Sequence, residues 1–180
     1  DYKNNCFNGD FEDSHKFVPA AFKNGAVACV VRPDRFEEHR DLLEPFHDRL
    51  IFVEDAILAL QELAKGVYEN WAKPVVAVTG SAGKTTAKEL TAHVLRSSGR
   101  SILSNIKNYN NGLGQPLTVL RLLGDEQFDA AVLEMGMSTP MNEIARLCRI
   151  TPPDVAVELN VLPVHLEHLG SIERIRQAKA

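Results

Sequence analysis

The sequence predicts an α/β fold: a mostly parallel, phosphate-loop-type sheet with helices on both faces, preceded by a smaller α/β unit. Three observations carry that prediction. Val75 to Thr79 is a continuous apolar run rich in β-branched residues; two glycines, Lys84-Thr85-Thr86 and a helical pattern follow, which reads as strand, phosphate loop and helix. Further on, apolar runs at 129–134 and 154–161 alternate with helical periodicity, and strands separated by helices of this length pair in parallel. Upstream, two more β-prone runs at 26–31 and 50–53 flank a charged segment that suits a helix or a loop.

Taken in order, residues 1–25 are polar and irregular apart from a short amphipathic stretch from Phe17 to Lys23. Residues 54–71 carry Ile57, Leu58, Leu60, Leu63, Ala64 and Val67 at the spacing of one helix face. Proline disfavours helical geometry in the residue before it, so Lys73-Pro74 marks the expected domain junction. After the strand at 75–79, a helix is expected from Lys84 to Arg96 with Leu90, Val94 and Leu95 on its apolar side, ended by Ser98-Gly99. Ile102-Leu103 suits a short strand, and 105–114 is an asparagine-rich loop. A helix through Leu117, Leu120 and Leu123 stops at Gly124, and the strand at 129–134 follows. Then come a helix over 141–149, the strand at 154–161 and a last helix from Ser171.

Composition excludes several classes. The chain has 180 residues, 44% of them hydrophobic, and a net charge of −4, so no basic footprint calls for nucleic acid. No apolar run approaches the roughly 18 residues that cross a bilayer, and no signal-peptide pattern opens the chain. Cys6, Cys29 and Cys148 are odd in number and widely spaced, which fits reduced thiols rather than disulfides or a thiolate zinc site. A cytoplasmic protein without nucleic-acid or membrane partners is the expectation.

In α/β sheets ligands sit at the carboxyl ends of the strands, which here carry Thr79-Gly80, Glu134 and Asn160. Gly80, Ser81, Ala82, Gly83, Lys84, Thr85 and Thr86 would cradle a nucleotide phosphate. Glycine backbone and the helix N-terminus face the anion, Lys84 adds a cation, and Thr85 offers its hydroxyl to Mg²⁺. The loop departs from G-x-x-x-x-G-K-[ST], because Val78 stands where the first glycine belongs and Gly80 comes late. Glu134, ending its strand beside that loop, suits a Mg²⁺ ligand, with a solvated strand-end carboxylate as the other reading. Asn108-Tyr109-Asn110-Asn111-Gly112 suits either a substrate-holding loop or an ordinary turn. His165 and His168 make a weak zinc signal, and the residues leave the role of His165 open. Lys179 reads by itself as a solvated lysine.

Together these segments resemble the Mur ligase family. Thr79 to Thr86 is similar to its phosphate loop, with the first glycine displaced as it is here. The segment Asn108 to Thr118 resembles the N-x-N-N…G-x-P-L-T block of the branch that adds D-alanyl-D-alanine to UDP-N-acetylmuramoyl-tripeptide. Leu133 to Ser138 and Asn160 to Ser171 resemble further blocks, and Lys179 falls where the family carries a carbamylated lysine. The resemblance implies ATP and Mg²⁺ as cofactors, with Lys84, His165 and Lys179 catalytic and Thr85, Glu134, His165 and carbamylated Lys179 holding metal. Asn108, Asn110, Asn111 and His15 would bind the small-molecule substrates of a monomeric enzyme. It further implies residues 1–73 as a partial UDP-substrate-binding domain and 74–180 as a partial central ATP-binding domain, with the carboxyl-terminal domain absent from this chain. Another Mur or folylpolyglutamate-type ligase, or a non-catalytic nucleotide-binding paralogue, are the alternatives. Four departures stand out: Ser14 for glycine, Lys16 for an acidic or polar residue, Met141-Asn142 for a single glycine, and Glu158-Leu159 at a strand end, where an unpaired buried carboxylate would be costly.

Overall fold

The computed structural model of the chain describes residues 13–137, 142–163 and 171–179, and divides it into two compact units that meet in sequence between Ala59 and Leu60. The amino-terminal unit comprises α1 (Val18–Lys23), β1 (Cys29–Val31), α2 (Pro33–Glu38), α3 (Arg40–Leu43) and β2 (Leu50–Phe52), with 3₁₀ turns at Ser14–Phe17 and Glu44–Arg49. Proline in the first turn of α1 and α2 supplies helical φ where its missing N–H costs nothing. β1 and β2 pair in parallel, Cys29 opposite Leu50 and Val31 opposite Phe52. Val18, Val31, Phe36 and Leu43 form the core, with Phe22 stacked on Phe46. The charged segment between the strands is therefore helical, and its Phe36 and Leu43 face inward.

Asp13 ties the start of this unit together. Its carboxylate accepts the backbone N–H of His15 at 3.0 Å and lies 2.6 Å from His15 Nδ1 and 3.2 Å from His39 Nε2. Partial burial pushes its pKa up, but the hydrogen bonds from His15 and His39 outweigh this and hold the carboxyl well below the usual carboxylate range. A depressed folded-state pKa means stabilisation that is present above the unfolded value of about 3.9 and lost as pH falls below it. Asp13→Asn should therefore lower stability at pH 7 and flatten the acid limb of unfolding followed by circular dichroism. Superimposable acid curves for the two proteins would remove this role.

Helix α4 (Ala56–Trp71) opens where Asp55 Oδ1 accepts the N–H groups of Ile57 and Leu58. From Leu60 onward lies the second unit, with β3 (Val75–Thr79), α5 (Lys84–Ser97), β4 (Ile102–Ser104), α6 (Gly114–Val119), β5 (Ala130–Glu134), α7 (Glu143–Ile150), β6 (Val155–Glu158) and α8 (Ile172–Lys179). Its four strands run in parallel in the order β4-β5-β3-β6, as the strand–helix alternation predicts. One sheet face, with Val75, Ala77, Leu103, Ala131 and Leu133, is covered by apolar side chains of α4, α6, α7 and α8. The opposite face, with Val76, Ile102, Ala130 and Val132, packs on Ala92 and Leu95 of α5.

Helix α5 turns a different side to the sheet from the one expected. Leu90 and Val94 are 61% and 65% exposed, whereas Lys88 and Ala92 are fully buried. Small Ala92 lets the helix approach the strands closely, and Lys88 finds a polar partner beneath it. Other differences are local. Helix α6 starts at Gly114, because Asn111 Oδ1 accepts the N–H groups of Leu113 and Gly114, and it tightens to 3₁₀ over Leu120–Leu123. Strand β6 stops at Glu158, since Leu159 and Asn160 turn onto the phosphate loop. Glu158 is exposed within electrostatic reach of Arg176, so the cost of an unpaired buried carboxylate does not arise. Asn142, before α7, sits at φ 52°, a left-handed conformation that asparagine tolerates.

Candidate nucleotide and metal site

The register of the sheet creates the site. Val78 of β3 lies opposite Glu134 of β5, so the phosphate loop and the glutamate emerge side by side at the carboxyl edge. Gly83 takes φ 81° at the N-cap of α5 and, as glycine, has no side chain with which to cap that helix. The first N–H groups of a helix have no intrahelical acceptor, so the start of α5 is available to an anion. Gly80, at φ 145°, passes against β6, and a Cβ there would come 3.1 Å from Leu159 Cβ. Lys84 Nζ donates to Gly80 O at 2.9 Å, folding its cation over the loop.

The far side of the loop is held by Asn160, whose Oδ1 accepts the N–H groups of Ser81 and Ala82 at 3.1 and 3.0 Å while its Nδ2 donates to Ala82 O at 3.1 Å. Ser81 is fastened again by its hydroxyl, which accepts Leu162 N–H at 2.8 Å. Thr86 is exposed on the first turn of α5. The late position of Gly80 thus matches a loop whose outer arm is clamped to the end of a neighbouring strand.

Glu134 is buried, and its two oxygens reach separate segments. Oε2 accepts the Thr85 hydroxyl at 2.7 Å, and Oε1 accepts the Asn110 amide at 2.7 Å. Among the described residues it has no lysine or arginine partner, so a buried carboxylate is balanced only by neutral donors. A Thr hydroxyl and a carboxylate side by side are hard oxygen donors, and the site fits a hard divalent cation. Its backbone is fixed by Asn105, whose Oδ1 accepts Glu134 N–H at 2.9 Å and whose Nδ2 donates to Glu134 O at 2.8 Å and Tyr109 O at 2.9 Å. Gly136 N–H donates to Asn110 O at 2.7 Å, drawing the loop over the strand end.

Of the expected site residues, the structure brings Thr85, Glu134 and Asn110 together beside Lys84. Asn111 serves as a helix cap, and Asn108 is exposed near the loop tip. In the amino-terminal unit, His15 has Asp13 on Nδ1 and accepts Arg32 N–H at Nε2, 3.2 Å away. His165 and His168 lie outside the described residues, as does the side chain of Lys179, whose backbone ends α8. Sequence reasoning assigned no role to Lys88 and Asn105 and singled out Asn160 only as a strand end. For Lys88 the signal was present in the i, i+4, i+7 series Lys88, Ala92, Leu95, which is the buried stripe of α5.

This arrangement of parallel sheet, glycine-rich loop at a helix N-terminus and strand-end carboxylate defines an α/β protein of the phosphate-loop class. Residues 78–180 match the Mur ligase middle domain, and the chain belongs to the Mur ligase family. It is 41% identical over 171 residues to the UDP-N-acetylmuramoyl-tripeptide–D-alanyl-D-alanine ligase of Bacillus subtilis, covering 95% of this chain and 35% of that protein. Identity to the ligase of the same name from Haemophilus influenzae is 37% over 174 residues, covering 95% and 36%. The crystal structure of MurF ligase from Thermotoga maritima in complex with ADP superposes with a TM-score of 0.77 at 38% identity, covering 96% of this chain and 37% of that one. The chain thus spans roughly a third of the length of these relatives. No helix among the described residues is long and apolar enough to cross a membrane.

Proposed function

We propose that this chain is the nucleotide-binding part of an ATP-dependent ligase that joins D-alanyl-D-alanine to UDP-N-acetylmuramoyl-tripeptide in peptidoglycan precursor synthesis. The observation that carries this reading is the convergence of Thr85, Asn110 and Glu134 beside the open N-terminus of α5. The ligases of Bacillus subtilis and Haemophilus influenzae to which the chain is similar support the substrates.

In this reading the tripeptide's terminal carboxylate attacks the γ-phosphorus of ATP, forming an acyl phosphate and releasing ADP. The amine of the dipeptide then attacks the acyl carbon, loses a proton and expels phosphate. The first N–H groups of α5 hold the phosphates in line, and the Lys84 ammonium, released from the Gly80 carbonyl, meets the charge on the moving phosphoryl group. Thr85, Glu134 and His165 would hold Mg²⁺, and a carbamylated Lys179 would support a second Mg²⁺. Bound Mg²⁺ would neutralise charge developing on the transferred phosphoryl group. Residues 1–73 serve the UDP end of the substrate, with His15 holding the turn that begins it, and 74–180 serve ATP. Asn108, Asn110 and Asn111 present the asparagine loop to the peptide end. The protein acts as a cytoplasmic monomer on small molecules.

The test is phosphate release by the full-length gene product with ATP, Mg²⁺, the UDP-tripeptide and the dipeptide. Release that requires both the tripeptide and D-alanyl-D-alanine is expected. A folded protein that binds ATP yet releases no phosphate would instead make the chain part of a nucleotide-binding module, and release with a single amino acid would make it another amide ligase.

A further inference from the structure

The mechanism above leaves unused a fully buried lysine directly beneath the site. Lys88 lies one turn beyond Lys84 on α5, and its side chain is 1% exposed. Nζ donates to Asn105 O at 2.6 Å and lies 2.8 Å from a carboxylate oxygen of exposed Glu89. A buried ammonium is costly unless its hydrogens are used, and an apolar side chain would fill the same space without that cost. The amine therefore has a task at this depth, and its buried acceptor shows what the task is.

That acceptor belongs to the residue that fixes Glu134. Asn105 is 2% exposed, and its side chain bonds both the N–H and the C=O of Glu134. Thr85 and Lys88 are three residues apart on one helix, a spacing that places them on the same face. From that face, Thr85 reaches the Glu134 carboxylate directly, and Lys88 reaches the Glu134 backbone through Asn105. The helix that carries the phosphate loop thus grips the same glutamate at both ends. A shift of the Asn105 loop would move the carboxylate away from Thr85 and also move Asn110, whose amide holds its other oxygen.

We propose that Lys88 is a positioning residue that, through Asn105, sets the Glu134 carboxylate against Thr85 and thereby determines the divalent-cation affinity of the nucleotide site. This rests on the nucleotide and metal reading given above. Lys88 Nζ is buried against Asn105 O and Glu89, so its removal should weaken metal binding through Asn105 while leaving the phosphate loop's own grip on nucleotide intact.

The experiment uses the full-length gene product, with Mn²⁺ affinity measured by electron paramagnetic resonance at saturating ADP and ADP affinity measured by calorimetry in EDTA. Lys88→Met is expected to lower Mn²⁺ affinity by about 10–100-fold, the usual cost of losing an outer partner of a metal ligand, with metal-free ADP affinity within about twofold of wild type. Asn105→Ala should show the same selective loss, and the double variant should lose less than the product of the two, since both act through one path. Unchanged Mn²⁺ affinity in a folded Lys88→Met protein would overturn the proposal, as would a parallel loss of metal-free ADP binding. If Lys88→Met does not fold, Asn105→Ala decides by the same criteria. Wild-type protein that binds no Mn²⁺ with ADP, or a Glu134→Ala variant that binds it normally, would sink the metal reading itself and the role of Lys88 with it.

Discussion

Glu134→Ala is expected to abolish the Mg²⁺-dependent release of phosphate by the full-length gene product, lowering turnover by about 10²–10³-fold or more. The reason is local and electrostatic. Glu134 is buried, both its oxygens are aimed by neutral donors, and no lysine or arginine among the described residues competes for its charge. Alanine removes that charge and leaves the Thr85 hydroxyl without its acceptor, so two oxygen donors of the site are lost or misdirected by one substitution. Folding should survive, because Asn105 bonds the backbone of residue 134, which alanine retains. The discriminating measurement is therefore a pair: ADP binding in EDTA close to wild type, and Mg²⁺-dependent turnover lost. Near-normal turnover would remove Glu134 from the metal site.

How far the sequence foretold this site depends on the range over which each contact forms. The phosphate loop was legible because its chemistry is contiguous: Gly80, Gly83, Lys84 and Thr85 lie within six residues, and the strand before and helix after are marked by periodicity. Parallel pairing of β3, β4, β5 and β6 followed from the alternation of strands and helices, and the position of Glu134 at the carboxyl edge of the sheet followed from its place at the end of an apolar run. The sides taken by individual residues were less legible. Leu90 and Val94 made an apolar stripe as convincing as the true one, and what decided between them was the buried partner of Lys88, an asparagine carbonyl 17 residues away. Within the asparagine loop, residue type could not distinguish Asn110, which reaches Glu134, from Asn111, which caps α6, since both tasks need an amide. The clamp of Asn160 on Ser81 and Ala82 spans 79 and 78 residues, a distance over which local pattern carries no information.

The same substitution, glycine to alanine, should have opposite consequences at two helical positions, and the larger effect is at Gly114. A Cβ on Gly114 would lie 2.3 Å from Tyr109 Cα and 2.7 Å from Tyr109 C, a collision with backbone that no side-chain rotation can relieve. Either α6 or the loop must move. The loop is the part with less packing behind it, because Ile106 and Tyr109 are half exposed. Moving Tyr109 carries Asn110 with it, so Gly114→Ala should both destabilise the protein by about 1–3 kcal/mol and weaken the hold on Glu134. At about 2–4 °C per kcal/mol, that is a clear drop in melting temperature, accompanied by reduced Mn²⁺ affinity. Gly66, inside α4, has nothing within 4 Å of its would-be Cβ, and alanine there should raise stability by about 0.5–1 kcal/mol with cation affinity unchanged. Thermal melts of the two variants with and without Mn²⁺ and ADP check both signs at once. A Gly114→Ala protein that melts with wild type and binds Mn²⁺ normally would mean that the asparagine loop does not pack against α6 as closely as described, and the positioning of Asn110 would have to come from elsewhere.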